Sequence, residues 1–114
     1  MESLKPIHNP FNSYFIEKKY DNAFAKYSKL IKIASLLPRT EILKKEKNYW
    51  KGVCRSLIFR FPDDLEILLI SENKYINNSQ GIIQVRSSSR IGQSDLGVNR
   101  KRVENLLFEL EKLS

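Results

Sequence analysis

The residues best suited to chemistry lie in the last third of the chain, where arginines and serines precede a glycine-containing segment and a helical pattern. Guanidinium groups, hydroxyl groups and the free backbone N–H groups at a helix N-terminus all favour a phosphate or a carboxylate. One interpretation is therefore a site for a small anion or a partner. Its candidate residues are Arg86, Ser87, Ser88, Ser89, Arg90 and Arg100. The segment is not a Walker loop, because it lacks Gly-x-x-x-x-Gly-Lys.

Carboxylates ahead of this segment support a second interpretation. Asp63, Asp64 and Glu66 lie around the start of a predicted strand. If that strand pairs with the one that carries Arg86 and Arg90, each arginine can form a bidentate contact with a carboxylate. The cluster would then be a structural ion-pair network. A pocket lined by unpaired arginines favours the anion site, whereas guanidinium groups fully paired with these carboxylates favour the network.

Residues for enzymatic catalysis or metal binding form no recognisable pattern. His8 is the single histidine, and Cys54 has no histidine near it in sequence to activate it, so we predict that Cys54 is a small core residue. We predict no catalytic residue, no metal and no cofactor. An enzyme that uses a carboxylate–arginine site remains an alternative. It requires the acidic residues named above to lie in a cleft with raised pKa values.

The basic composition permits a nucleic acid, an anionic lipid or an acidic protein as partner, but identifies none of them. The 114 residues carry a formal net charge of +7, and the 20 Lys and Arg residues are spread along the chain. Basic and aromatic residues alternate best from Lys47 to Arg55, yet Val53 on the same strand face favours burial. A nucleic-acid binder is therefore an alternative that the pattern disfavours. Arg100-Lys101-Arg102 opens the last helix, where solvated pairing is the simplest interpretation.

Length and cysteine content predict one cytoplasmic domain over residues 1–114. A single cysteine cannot form an internal disulfide, and no apolar run is long enough to span a bilayer. The N-terminus lacks the apolar core of a signal peptide.

The elements that must position these residues follow from hydrophobic periodicity. Helical spacing predicts helices over 21–36, capped by Asp21, and over 99–113, capped by Asn99. A start of the last helix one turn earlier, capped by Ser94 or Asp95, is an alternative that would place Gly97 inside the first turn. Alternation predicts strands over 40–47, 49–61, 65–72 and 81–90, after an extended lead-in or edge strand over 1–19. The turns between these strands, including 77–81, are too short for crossover helices, so an antiparallel meander is expected. We predict an α+β fold: an antiparallel four- to five-stranded sheet with two helices packed on one face, in the order (β)-α-β-β-β-β-α.

Two segments resemble a known family. Val85-Arg-Ser-Ser-Ser-Arg-Ile-Gly-Gln-Ser-Asp-Leu-Gly-Val-Asn-Arg-Lys-Arg102 and Arg60-Phe-Pro-Asp-Asp-Leu-Glu66 are similar to domain-of-unknown-function family 1499. The similarity extends over roughly residues 53 to 110. The resemblance implies a domain found in bacteria and in photosynthetic organisms. Many members of the family carry an N-terminal export or membrane segment. The resemblance implies no reaction for this chain. The leading hypothesis is a non-enzymatic binding or accessory domain for a protein partner or a small anionic ligand.

Overall fold

A computed structural model describes residues 3–71 and 80–112. The elements are β1 (Ser13–Tyr20), α1 (Ala23–Ser35), β2 (Thr40–Lys45), β3 (Tyr49–Arg55), β4 (Pro62–Ser71), β5 (Gly81–Ser89) and α2 (Val98–Lys112). Within these residues, five strands form one antiparallel sheet in the spatial order β1-β5-β4-β3-β2. The predicted class and element order are confirmed, and the lead-in strand is an edge strand. Most of the predicted 77–81 turn, position 72 of the third predicted strand and the predicted helix end at 113 lie outside the described residues.

Both helices cover the same face of the sheet. Their buried side chains recur at helical spacing, as expected for amphipathic helices: Ala23, Tyr27, Leu30, Ile31 and Ala34 in α1, and Val103, Leu106, Leu107 and Leu110 in α2. They pack against inward-facing strand residues that include Trp50 and, as predicted, Cys54. A Cβ atom at Gly52 would lie 2.6 Å from Cη2 of Trp50, so the glycine leaves room for the indole ring.

The opposite face of the sheet is partly covered by the segment that precedes β1. Leu4 is buried there against Tyr49 and Leu68. The backbone N–H of Leu4 donates to Oε1 of Gln84 at 2.8 Å, and Nε2 of Gln84 donates to Oε1 of Glu17 at 2.7 Å. The first residues of the described chain therefore belong to the packed structure.

The predicted strand over 49–61 is too long, because β3 ends at Arg55. A loop follows in which the backbone N–H of Ser56 donates to the carbonyl of Phe61 at 3.1 Å. The N–H of Phe61 donates in turn to Oγ of Ser56 at 2.9 Å. Arg60 has a φ of 59°, a left-handed conformation that interrupts strand pairing. The predicted strand would have placed Leu57, Phe59 and Phe61 on one face with Val53, but these three residues lie instead in an exposed loop.

The predicted Asp21 cap of α1 is wrong. The helix begins at Ala23, and the capping position is Asn22, which has a left-handed φ of 53° and no capping side-chain hydrogen bond. Oδ1 of Asp21 instead accepts a hydrogen bond from Nε2 of Gln80 at 2.8 Å. The aspartate therefore joins the residue before β5 to the turn before α1.

Candidate functional site

A cleft of about 540 Å³ lies between the start of β1, with the segment before it, and the connection from β5 to α2. Its volume falls in the range of roughly 300–1,000 Å³ that is typical of small-molecule sites. Apolar and aromatic side chains predominate among the lining residues, which are Ile7, Pro10, Phe11, Ser13, Tyr14, Phe15, Ser94, Asp95, Leu96, Gly97 and Arg100.

Side-chain amides hold the two walls of this cleft together. Nδ2 of Asn9 donates to the carbonyl of Gln93 at 3.0 Å, and Nδ2 of Asn12 donates to the carbonyl of Gly92 at 2.9 Å. Gly92 has a φ of 89°, which favours glycine at this turn. Segments 80 or more positions apart in sequence are thus fixed beside each other.

Arg100 supplies the positive charge of the cleft. Its guanidinium lies 5.6 Å from the centroid of the Tyr14 ring, within the range of a cation–π contact. Nε of Arg100 lies 3.4 Å from Oε1 of Glu104, one helical turn later, and the Arg100 side chain is 65% exposed. Because exposed pairs of this kind are weak, the guanidinium stays accessible to a ligand.

The N-terminus of α2 already has an anion of its own. The carboxylate of Asp95 accepts hydrogen bonds from the backbone N–H groups of Gly97 at 2.8 Å and Asn99 at 3.0 Å. Burial favours a raised pKa for Asp95, but the hydrogen bonds from Asn99 and Gly97 outweigh it and lower the pKa. The helix begins at Val98, so the predicted Asn99 cap is wrong. The side chain that accepts the capping hydrogen bonds is Asp95, one of the two alternative caps. The N–H groups of Gly97 and Asn99 are therefore not free for an external anion.

Asn99 lies fully buried at the centre of a polar network beneath α2. Its Oδ1 accepts from Oγ of Ser87 at 2.5 Å and from Nη1 of Arg102 at 2.9 Å, while its Nδ2 donates to Oγ of Ser89 at 2.9 Å. Nη1 of Arg102 also lies 2.9 Å from Oδ2 of Asp63. The sequence interpretation missed Arg102, which it assigned to a solvated basic cluster.

Two further ion pairs lie on the face of the sheet opposite the helices. Arg90 forms a bidentate ion pair with Asp64. Its Nε donates to Oδ2 at 3.0 Å, and its Nη2 donates to Oδ1 at 2.7 Å. Nη1 of Arg86 lies 3.4 Å from Oε1 of Glu66, whose Oε2 accepts from the Tyr49 hydroxyl at 2.5 Å. Burial, followed by that hydrogen bond, raises the pKa of Tyr49. These carboxylates therefore hold the two arginines against the sheet.

The structure separates the six candidate site residues into three groups. Arg86 and Arg90 pair with carboxylates on the helix-free face. All three serine hydroxyls take part in hydrogen bonds, with Oγ of Ser88 lying 2.7 Å from Oγ of Ser13. Arg100 alone among the six lines the cleft. The three arginines consequently do not share one pocket.

The described part of the chain shows only weak features for a thiol nucleophile, a metal centre, a membrane-spanning helix or a nucleobase-stacking surface. Sγ of the buried Cys54 accepts a hydrogen bond from Oγ1 of Thr40 at 3.4 Å. Over residues 3–71 and 80–112, no three His, Cys, Asp or Glu side chains are grouped to hold a metal ion. In the same ranges no helix is long and apolar enough to cross a membrane. Tyr49 and Trp50 are buried, so β3 exposes neither ring to a nucleobase.

Comparison with known proteins identifies a family but no function. No curated protein and no solved structure matches this chain. Residues 6–110 match the family described as "Protein of unknown function (DUF1499)". The match runs from the segment before β1 to Leu110 in α2, and thus includes both walls of the cleft. The chain belongs to the DUF1499 family of proteins of unknown function.

Proposed function

We propose that this chain is a non-enzymatic binding domain whose cleft holds a ligand with an apolar body and one anionic group. The observation that supports this proposal is the position of Arg100 on the wall of a predominantly apolar cleft of about 540 Å³. Apolar walls favour burial of a hydrocarbon or aromatic body. A guanidinium beside them favours a carboxylate or phosphate through charge-assisted hydrogen bonds.

The surroundings of Arg100 favour its role over that of the other candidate arginines. Its pair with Glu104 is exposed on both sides, so an incoming anion can compete with the carboxylate at little cost. Arg86 is mostly buried beside Glu66, and displacing it would leave that carboxylate without its charged partner. Stacking on Tyr14 also limits the positions that the Arg100 side chain can take.

The enzymatic alternative has less support from the same geometry. Asp63, Asp64 and Glu66 each face an arginine, and none of them lines the cleft. A general acid or base must lie within hydrogen-bond distance of a bound substrate. These three carboxylates lie outside the cleft lining, so they would not contact a substrate bound there.

A titration with octanoate, below its micelle concentration, tests the proposal because octanoate combines a short hydrocarbon with one carboxylate. Two-dimensional NMR of the full chain should show saturable shifts at amides that line the cleft, such as Leu96 and Gly97. We expect 1-octanol, which lacks the charge, to bind more weakly. Shifts that never saturate, or that centre away from the cleft, would contradict the proposal.

A pair of variants separates the charge of the cleft from the general basicity of the chain. Arg100→Gln should weaken octanoate binding about tenfold, the effect of losing roughly 1.4 kcal/mol of charge-assisted contact, and should leave 1-octanol binding unchanged. Lys101→Gln removes one charge from the next, exposed position and should change octanoate affinity less than twofold. Equal effects of both substitutions would show that only net charge matters.

A further inference from the structure

The connection between β3 and β4 exposes an unusual amount of apolar surface. This 56–61 loop reads Ser-Leu-Ile-Phe-Arg-Phe. Leu57, Ile58 and Phe59 are 68%, 79% and 71% exposed, and Phe61 is 47% exposed. The rings of Phe59 and Phe61 stack with centroids 5.4 Å apart, so the two aromatic side chains form one apolar tip. None of these four side chains belongs to the packed core.

Neighbouring connections at the same end of the sheet carry further exposed apolar residues. The register of the strands places the α1–β2 and β5–α2 connections beside the 56–61 loop. The backbone N–H of Arg55 donates to the carbonyl of Arg39 at 3.0 Å, and that of Arg90 donates to the carbonyl of Pro62 at 3.1 Å. These connections add exposed Leu36 and Ile91.

The charge of the 56–61 loop and of the α1–β2 connection is positive. Arg60 lies within the loop, and Arg39 lies in the neighbouring connection; both are exposed. In the part of the chain that the structure describes, neither guanidinium has a carboxylate within ion-pair distance. The carboxylates that follow along the strands already face other arginines: Asp63, Asp64 and Glu41. Apolar and cationic groups are therefore presented together.

We propose that the 56–61 loop docks on an anionic membrane surface, with its apolar tip among the lipid headgroups and with Arg60 and the neighbouring Arg39 on lipid phosphates. The four apolar side chains of the loop offer on the order of 400 Å², about half of the roughly 800 Å² that each partner contributes to a standard protein interface. A bilayer needs no complementary protein surface. Aromatic rings settle at the membrane–water interface, and each arginine near an anionic leaflet strengthens the attachment.

Sedimentation with lipid vesicles tests this docking. The full chain should bind vesicles of equal phosphatidylcholine and phosphatidylglycerol, and bind phosphatidylcholine vesicles several-fold more weakly. Phe59→Ser should reduce the partition coefficient about tenfold. Phe108→Ser is the matched control, because Phe108 is similarly exposed, at 64%, but lies on α2; it should change the coefficient less than twofold. Arg60→Gln should weaken binding to the anionic vesicles about fivefold and leave weak binding to neutral vesicles unchanged.

Three results would overturn membrane docking by this loop. A chain that stays in the supernatant with anionic vesicles, or a Phe59→Ser variant that binds them like the original, excludes membrane docking by this loop. A concentration-dependent dimer that Phe59→Ser abolishes, without vesicle binding, would make the loop a self-association surface instead. The octanoate affinity of the cleft should be the same in the Phe59→Ser variant, so the two proposals can fail separately.

Discussion

The buried ion pair between Arg102 and Asp63 leads to the most quantitative prediction for this fold. Its two side chains are 14% and 10% exposed, with Nη1 and Oδ2 separated by 2.9 Å. Arg102→Met keeps much of the side-chain volume but removes the guanidinium. The Asp63 carboxylate then stays buried without its charged partner, and Ser87 and Asn99 lose a hydrogen-bond donor. The substitution should therefore cost far more than a surface arginine would.

The magnitude follows from the burial of the pair. Removing one partner of a buried ion pair costs about 3–5 kcal/mol, and the slight exposure here places our expectation near the lower value, about 3 kcal/mol. Asp63→Asn leaves the arginine charge unpaired and should cost about 2 kcal/mol. The double variant contains neither charge, so its loss should be smaller than the sum of the single losses by about 1–2 kcal/mol.

Urea unfolding followed by the fluorescence of the buried Trp50 measures these free energies of unfolding. Arg100→Met is the matched control, since its pair with Glu104 is exposed on both sides; it should cost at most about 0.5 kcal/mol. An Arg102→Met loss below about 1 kcal/mol, or strictly additive single losses, would refute the claim that the two buried charges depend on each other.

Two other predictions concern α2 and the core. Asp95→Asn should cost about 1 kcal/mol at neutral pH, because the amide has one acceptor oxygen instead of two and carries no charge at the start of the helix. Because the folded-state pKa of Asp95 is lowered, its contribution is complete above the unfolded value of about 3.9 and disappears as pH falls through the lowered pKa. The difference between the two proteins in urea unfolding should therefore shrink below about pH 4; a constant difference would contradict it. Gly52→Ala should cost about 2 kcal/mol, because the new Cβ meets the Trp50 ring at 2.6 Å. Thermal unfolding should show a smaller cost in a Trp50→Phe background, and an unchanged melting temperature for Gly52→Ala alone would mean that the ring yields freely.

Much of the fold could be predicted from periodicity because both helices, β4 and β5 bury apolar side chains against the shared core. The helical spacing that runs from Ala23 to Ala34 and the alternation in β4 and β5 place apolar side chains toward one core. The same periodicity wrongly predicted a strand over the 56–61 loop. Alternation of apolar residues indicates a strand only when those residues are buried, and at Leu57 and Phe59 they are exposed.

The candidate site was less predictable, because it depends on the rotation of α2 about its own axis. Arg100 and Arg102 are two positions apart and thus point in widely different directions on a helix. Only the packing of α2 decides that Arg102 faces the buried Asp63 and Arg100 faces the cleft. The cleft also needs residues 7–15, whose position beside the β5–α2 connection has no local signal in the sequence.

The pairing of β1 with β5 has a consequence for how the chain reaches this structure. The strands from β2 to β5 follow one another as a meander, so their contacts form between near neighbours in sequence. Ser13 meets Ser88 across 75 positions, and closing so long a loop is slow on entropic grounds. The order of folding should therefore place β1 last. The cleft, and the arginine-rich segment that first suggested a site, would then acquire their final form only in that closing step.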